Sequence, residues 1–350
     1  MDLMASMPRI ALIHPEIPMS DIQITTMNRR AFLMASTAAA LSPAALLAFD
    51  AQTASAKAPF AAAKSAAWYR FNIGDMEATV VSDGALNLGP AAGLYPGTPK
   101  DIVDGFMKAE FQAPETVIGQ ENCLVVNTGD KLVLIDSGMG TYKAFGPAAG
   151  RLGSNLAAAG IKPEDIDAII LTHGHIDHLS GIIGDDGKRM FPNAQLMMSK
   201  TEYDFWTDEA KTSMTGMMKL LVDSARKNLL PNKDRLAFVE NGKEVIKGIQ
   251  AISTPGHTPG HTSYVLASAG KTFLYTGDVV NHTAISIKNP SWELAFDADP
   301  KTAAATRMRV LDMAAKDNLT LIGYHFAFPG IGNVAREGAS YRFIPSAMDL

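Results

Sequence analysis

The stretch LTHGHIDHLSG, Leu171–Gly181, sets His173, His175, Asp177 and His178 into six positions directly after the apolar run AIIL. In an extended or turning segment alternate side chains point the same way, so His173 and His175 share one direction. Asp177 and His178 can then turn toward a second point close by. A lone histidine is ordinarily a core or surface residue, but four ligand-type side chains at H-x-H-x-D-H spacing reverse that expectation. The geometry suits two metal ions better than one.

Three further candidates stand at the ends of apolar runs: His257 in STPGHTPGHT, Asp278 in LYTGDVV and His325 in LIGYHFAFPG. If each run is a strand, each of these side chains projects from a sheet edge into a common cleft. Five histidines and two aspartates form a nitrogen and oxygen donor set, which suits zinc first and also admits Mn, Fe or Co. Thiolate takes no part, because the single cysteine, Cys123, lies in NCLVVN and reads as a small core residue of a strand. A carboxylate shared between two ions would hold them roughly 3.5–4 Å apart, and Asp278 is the candidate bridge.

The runs around these residues indicate the fold. YRFNIGDMEATVVSDG alternates apolar and polar residues about Gly74-Asp75, a hairpin signal, and NCLVVNTGDKLVLIDSG repeats the device about Gly129-Asp130. AFGPAAGRLGSNLAAAG has helical spacing and ends on Gly160, and PEDIDAIILTHGH follows as a short buried strand. AQLMMSK reads as a strand, and the segment from Lys200 to Leu230 as one or two helices. Strand-like runs KGIQAISTPGH, TSYVLASAG and KTFLYTGDVV come next, then the helix DPKTAAATRMRVLDMAAKDN and a last core strand, LTLIGYH. Strands dominate each half and a helix follows them, so the pattern predicts two sheets packed together with helices outside.

With 350 residues and 47% apolar composition the chain can bury a full core. Lys and Arg total 31 against 36 Asp and Glu, a formal charge of −5, so nothing recommends nucleic acid, and a small molecule is the expected partner. Residues 1–56 differ in kind. Arg29 and Arg30 precede an Ala-rich, weakly apolar stretch that closes on Ala54-Ser55-Ala56, the pattern of a Tat-type signal with a signal-peptidase site. Periplasmic export, with no membrane attachment after cleavage, is the expectation, leaving residues 57–350 as one domain.

THGHIDHLSG, TPGHTPGHT, TGD and the late His325 resemble, in order, the ligand motifs of the metallo-β-lactamase fold superfamily. The closing segment HFAFPGIGNVAREGASYRFIP, with LVLIDSG, FGPAAGRL and YDFW, is similar to its methyl parathion hydrolase and lactonase branch. The resemblance implies an α/β fold, the αββα sandwich of two mixed sheets with helices outside. It implies that His173, His175 and His257 hold one divalent metal and Asp177, His178 and His325 the other, with Asp278 and a hydroxide between them. It also implies a dinuclear hydrolase, commonly a homodimer, that cleaves lactones or aryl esters and also organophosphate triesters. Alternatives are a dedicated methyl parathion-type phosphotriesterase and an iron-dependent thiol oxidoreductase of the same fold. A bridging carboxylate argues against antibiotic hydrolysis, since class B β-lactamases lack one.

Asp177 and Asp278 are thereby the expected catalytic carboxylates. Asp136, closing LVLIDSG, matches an aspartate that supports a ligand histidine. His261 is expected to pack near its turn, and His282 to face either the cleft or solvent. Phe145, Trp206, Met217 and Phe296 align with pocket positions of the branch and suggest an apolar site for an aromatic or acyl group. No tyrosine beside the metals is identifiable from the sequence, which favours substrates with activated leaving groups.

Overall fold

The computed structural model describes residues 66–348; the export signal expected within residues 1–56 lies outside them. Two seven-stranded mixed sheets make up the described chain. The first runs in sequence order: β1 (Trp68–Ile73), β2 (Met76–Asn87), β3 (Ile118–Asn127), β4 (Leu132–Ile135), β5 (Ala168–Ile170), β6 (Gln195–Ser199) and β7 (Leu236–Val239). Strands β1 to β4 pair antiparallel, and β4 to β7 parallel. The second sheet is built from β8 (Glu244–Ile246), β9 (Ile249–Ser253), β10 (Thr262–Ser268), β11 (Lys271–Tyr275), β12 (Thr320–Ile322), β13 (Ile331–Glu337) and β14 (Ser340–Pro345). Only β11 and β12 pair parallel there.

Both predicted hairpins form. Ile73 pairs with Met76 across a turn that Gly74 enters at φ 59°, and Asn127 pairs with Leu132 across a loop holding Gly129. Side-chain alternation then sorts the core. Tyr264, Leu266, Tyr275 and Ile322 face inward and join the β2–β5 apolar residues in one cluster, whereas Leu274 and Leu321 face outward against Val310, Leu311 and Ala314 of the helix Pro300–Lys316. That is the helix-on-sheet-on-sheet layering the sequence implies.

Three differences from the sequence expectation have local causes. The helix expected from Ala144 begins only at Leu152, because Asp83, at a bulge of β2, captures the backbone N–H groups of Met139, Gly150 and Leu152. The region from Lys200 to Leu230 is two helices, Lys200–Thr207 and Gly216–Leu229. The closing segment, legible only as a resemblance, is the hairpin β13–β14. No helix among the described residues is long and apolar enough to cross a membrane.

Cross-sheet hydrogen bonds fix the two sheets against each other at one edge. Tyr264 donates to the Leu171 carbonyl (2.8 Å), Tyr275 to the Asn122 carbonyl (3.1 Å), and the Thr262 N–H to the Thr172 carbonyl (2.9 Å). Each buried hydroxyl or amide in this set is satisfied by the opposite sheet, so sliding one sheet would strand them all.

Candidate metal centre

The seven candidate ligands leave the C-terminal ends of four strands at that locked edge. His173 follows β5, and His175 stands at the N-terminus of the short helix Ile176–Leu179, whose first turn carries Asp177 and His178. His257 follows β9, Asp278 lies in the tight turn Gly277–Val279 after β11, and His325 follows β12. The apolar strand carries each residue inward, and the turn after it aims the side chain.

Ligand atoms of His173, His175 and His257 lie within 4.8 Å of one another, as do those of Asp177, His178 and His325 and those of His173, His178 and Asp278. Asp278 sits between the first two groups: its Oδ2 is 3.2 Å from His257 Nε2 and 3.2 Å from His325 Nε2, and its Oδ1 is 3.3 Å from His178 Nε2. The structure thus brings together all seven residues singled out in the sequence.

The outward nitrogens are fixed by specific acceptors. His178 Nδ1 donates to Asp136 (2.8 Å), His257 Nδ1 to Asp297 (2.9 Å) and His325 Nδ1 to the Gln120 carbonyl (2.8 Å). His173 Nδ1 meets Thr172 Oγ1 at 3.0 Å, and that hydroxyl donates to Asp136, so the imidazole supplies the proton. With the Nδ1 proton held outward, Nε2 of each of these rings is the atom aimed into the centre, open to a metal once any proton on it is shed. His175 turns the other way, with Nδ1 3.0 Å from His257 Nε2.

This arrangement fits divalent metal. His173 Nε2, His178 Nε2 and Asp278 Oδ1 are buried with no hydrogen-bond partner, a costly state unless a ligand completes them. The donor set of imidazole and carboxylate suits zinc and its borderline neighbours. Electrostatics agree. Burial alone would lower His178 and His257, but for His178 the carboxylates Asp278, Asp177 and Asp136 outweigh it, pushing the ring up to about 10. For His257, Asp278 and Asp297 do the same, to about 9. Burial, reinforced by neighbouring imidazoles, lowers His173, and burial with His257 takes His175 down to about 3. Burial would raise Asp278, yet His325 and His178 hold it well below the usual carboxylate range. In the metal-free protein, protons therefore hold the positions that cations would neutralise.

Several supporting residues carry no sequence signal. Glu202, on the helix Lys200–Thr207, is fully buried; its carboxylate accepts from the N–H groups of Gly174 (2.9 Å) and Gly260 (2.9 Å) and from Trp206 Nε1 (2.5 Å). One carboxylate thereby ties the His173–His175 loop to the His257 loop. A Cβ at Gly174 would meet Trp206 Cδ1 at 2.2 Å, and one at Gly181 the Ser137 carbonyl at 1.9 Å, which is why glycine stands at these two places in the quoted stretch. Asp297 is held in turn by Arg307 (3.2 Å).

His261 is buried, bonded to Thr254 Oγ1 at 2.8 Å, and its Nε2 accepts from the Asp278 N–H at 3.0 Å, so it positions the carboxylate without ligating. Asp136 supports both His178 and Thr172. Phe145, Met217 and Phe296 line a largely apolar cleft that opens on the ligands and encloses about 630 Å³ including its mouth; the two phenylalanines meet edge to face at 6.2 Å. Trp206 does not line it. Its ring lies behind His175, 5.4 Å between centroids, because its indole N–H is committed to Glu202. His282 faces the cleft, with Nδ1 accepting from the N–H groups of Ala284 and Ile285. Tyr95, which the sequence did not single out, also lines the cleft.

Residues 116–325 match the family model described as the metallo-beta-lactamase superfamily, and the chain belongs to that family. Among solved structures it is similar to hydrolase AbOPH in the beta lactamase superfamily, at 33% identity and TM-score 0.75, over 82% of this chain and 100% of that one. It is also similar to AidC, a dizinc quorum-quenching lactonase solved with the product N-hexanoyl-L-homoserine, at 26% identity and TM-score 0.76, over 81% of this chain and 98% of that one. An N-acyl homoserine lactonase of Bacillus cereus is 25% identical over 212 residues, 55% of this chain and 77% of the relative. The aligned segments span between 56% and 77% of these first curated relatives' own length.

Two expectations follow. Replacing Glu202→Gln sets an NH₂ against one of three donors, which should cost about 1–3 kcal/mol of stability and weaken zinc binding roughly 10- to 100-fold; a chelator competition and a thermal melt both unchanged would contradict it. Because His178 and His257 hold protons at pH 7 and must shed them to ligate, zinc binding should release protons and tighten as pH rises toward 9. Calorimetry in two buffers of different ionisation enthalpy checks this; identical heats would contradict it.

Proposed function

We propose that this chain is a dinuclear metal hydrolase that cleaves lactones or aryl esters. The observation that carries the reading is Asp278 placed between two ligand groups, each of which holds a buried, unpartnered imidazole nitrogen, His173 Nε2 in one and His178 Nε2 in the other. His173, His175 and His257 would hold one ion, Asp177, His178 and His325 the other, and Asp278 both. Bound divalent ions supply the chemistry by bringing a water to hydroxide near neutral pH and polarising the acyl oxygen. The chain's own part is positional. Acceptors behind four imidazoles hold the Nδ1 proton outward and aim Nε2 into the centre, and His261 fixes the Asp278 backbone.

The cleft supports an acyl or aryl substrate. Phe145, Phe296 and Met217 with Leu86, Leu88 and Leu221 provide an apolar wall that excludes water from the reacting group. No serine or cysteine nucleophile is required. Lactone hydrolysis by the similar B. cereus enzyme and by AidC favours the same substrate class here. Phosphotriester hydrolysis is the alternative that the same metal pair and wall would serve. Zinc as the native metal, a homodimer, and export directed by Arg29 and Arg30 belong to the same proposal.

Purified protein of measured metal content, assayed on dihydrocoumarin, acyl homoserine lactones, methyl parathion and a cephalosporin, should turn over a lactone fastest and the cephalosporin least. No turnover of any of them with two metals bound would overturn the reading. Asp278→Ala should lose at least one metal and about 100-fold or more in kcat/KM; full activity with both metals retained would contradict its place between them.

A further inference from the structure

The rim of the cleft carries sulfur. Met217 lines it from the second position of the helix Gly216–Leu229, and Leu221, one turn further on, lines it as well. Met217 is 46% exposed and Leu221 is buried, so this face of the helix forms a wall that runs from solvent inward. Met214 and Met218, also exposed, flank Met217 in the chain. Across the cleft the wall is made by Phe145, Leu294 and Phe296. Met217 is the one methionine in the cleft lining among the described residues.

Thioether and thiol are the side chains most readily oxidised by two electrons. The thiol takes no part here: Cys123 is buried, and burial pushes it well above the ordinary thiol range, so no thiolate forms. Met139 and Met198 are shut inside the core. Accessible sulfur is therefore confined to surface thioethers such as Met190, Met217, Met308 and Met348, and of these only Met217 touches the cleft. A sulfoxide at that position would set a polar S–O group into a wall that otherwise presents carbon. Covering that group with an apolar substrate strips its water, which opposes binding.

We infer that Met217 is a modification site: a peroxide converts its thioether to the sulfoxide, and the sulfoxide weakens binding of apolar substrates until it is reduced. In the forward step the sulfur lone pair attacks one peroxide oxygen. The O–O bond breaks, an S–O bond forms and water leaves; sulfur loses two electrons and the peroxide gains them. In the reverse step a reductase uses a dithiol, which takes the oxygen away as water and becomes a disulfide. Met217 lies on the wall and supplies no metal ligand, so its oxidation acts on KM rather than on kcat. The consequence for turnover rests on the hydrolase reading above, whereas the modification itself does not.

The test exposes metal-loaded wild type, Met217→Leu and Met308→Leu to hydrogen peroxide, maps sulfoxides by peptide mass spectrometry and measures dihydrocoumarin kinetics at verified zinc content. Met308, 39% exposed on the helix Pro300–Lys316, is the matched control away from the cleft. Sulfoxide should appear at Met217 and Met308 before Met139 and Met198. In wild type and Met308→Leu, KM should rise roughly fivefold or more with kcat changed less than about twofold, and methionine sulfoxide reductase with dithiothreitol should restore it. Met217→Leu, which keeps the wall apolar at similar volume, should hold its own KM through the treatment. Sulfoxide at Met308 but not at Met217 would overturn the inference, as would an equal KM rise in Met217→Leu or no rise in wild type carrying the Met217 sulfoxide. Wild-type protein that binds two metals yet turns over no dihydrocoumarin would count against the hydrolase reading instead. Anilinonaphthalene sulfonate binding then supplies the same comparison: weaker binding after oxidation in wild type alone supports the inference, and an equal change in Met217→Leu overturns it.

Discussion

Asp136 adopts φ 59°, a left-handed conformation that costs a residue other than glycine about 1 kcal/mol or more. The strain turns its carboxylate back under the metal ligands. There it accepts from the Thr172 N–H (2.8 Å), the Thr172 hydroxyl (2.9 Å) and His178 Nδ1 (2.8 Å), with the Tyr275 hydroxyl of the second sheet at 3.4 Å. Through Thr172 the same carboxylate reaches His173. One buried negative charge, paid for by three donors, thus fixes the outward nitrogens of two ligand rings at the site. The rest of the centre repeats the scheme. Asp297 backs His257 and is held by Arg307, while Glu202 ties two ligand loops through their backbone.

Such an edge is stable only as a whole. Each carboxylate behind the ligands is buried, and each is hydrogen-bonded by groups whose own position depends on it. Inside this frame, imidazoles and carboxylates converge with several atoms unpartnered. Protons can compensate the charges, but they leave His173 Nε2 and His178 Nε2 without partners, whereas two cations would complete both. The fold is in this sense a device for holding opposed donors that would otherwise relax apart.

The amino-acid sequence made the ligands legible because each follows an apolar run, and strand ends are positions where chain order and spatial position agree. The two early hairpins were legible for a similar reason, as glycine turns between alternating runs. What was not legible depends on neighbours distant in sequence. Glu202 is one acidic residue in an ordinary helical pattern, and nothing local marks it as meeting Gly174 and Gly260. Trp206 reads as a pocket aromatic, yet its N–H is drawn to Glu202 and its ring packs behind His175. The late start of the Leu152–Ala158 helix reflects capture of backbone donors by Asp83, a tertiary effect that overrides local propensity. Tyr95 and Asn281 face one cleft only because segments 186 positions apart in the sequence are folded together.

The central claim is that these seven side chains hold two ions with Asp278 between them. Anomalous scattering at the zinc edge from crystals of the zinc-loaded protein tests it without reference to any substrate. Two peaks roughly 3.5–4 Å apart, one beside His173, His175 and His257 and the other beside Asp177, His178 and His325, with Asp278 contacting both, is the predicted result. A single peak, or two peaks that Asp278 does not join, would contradict it.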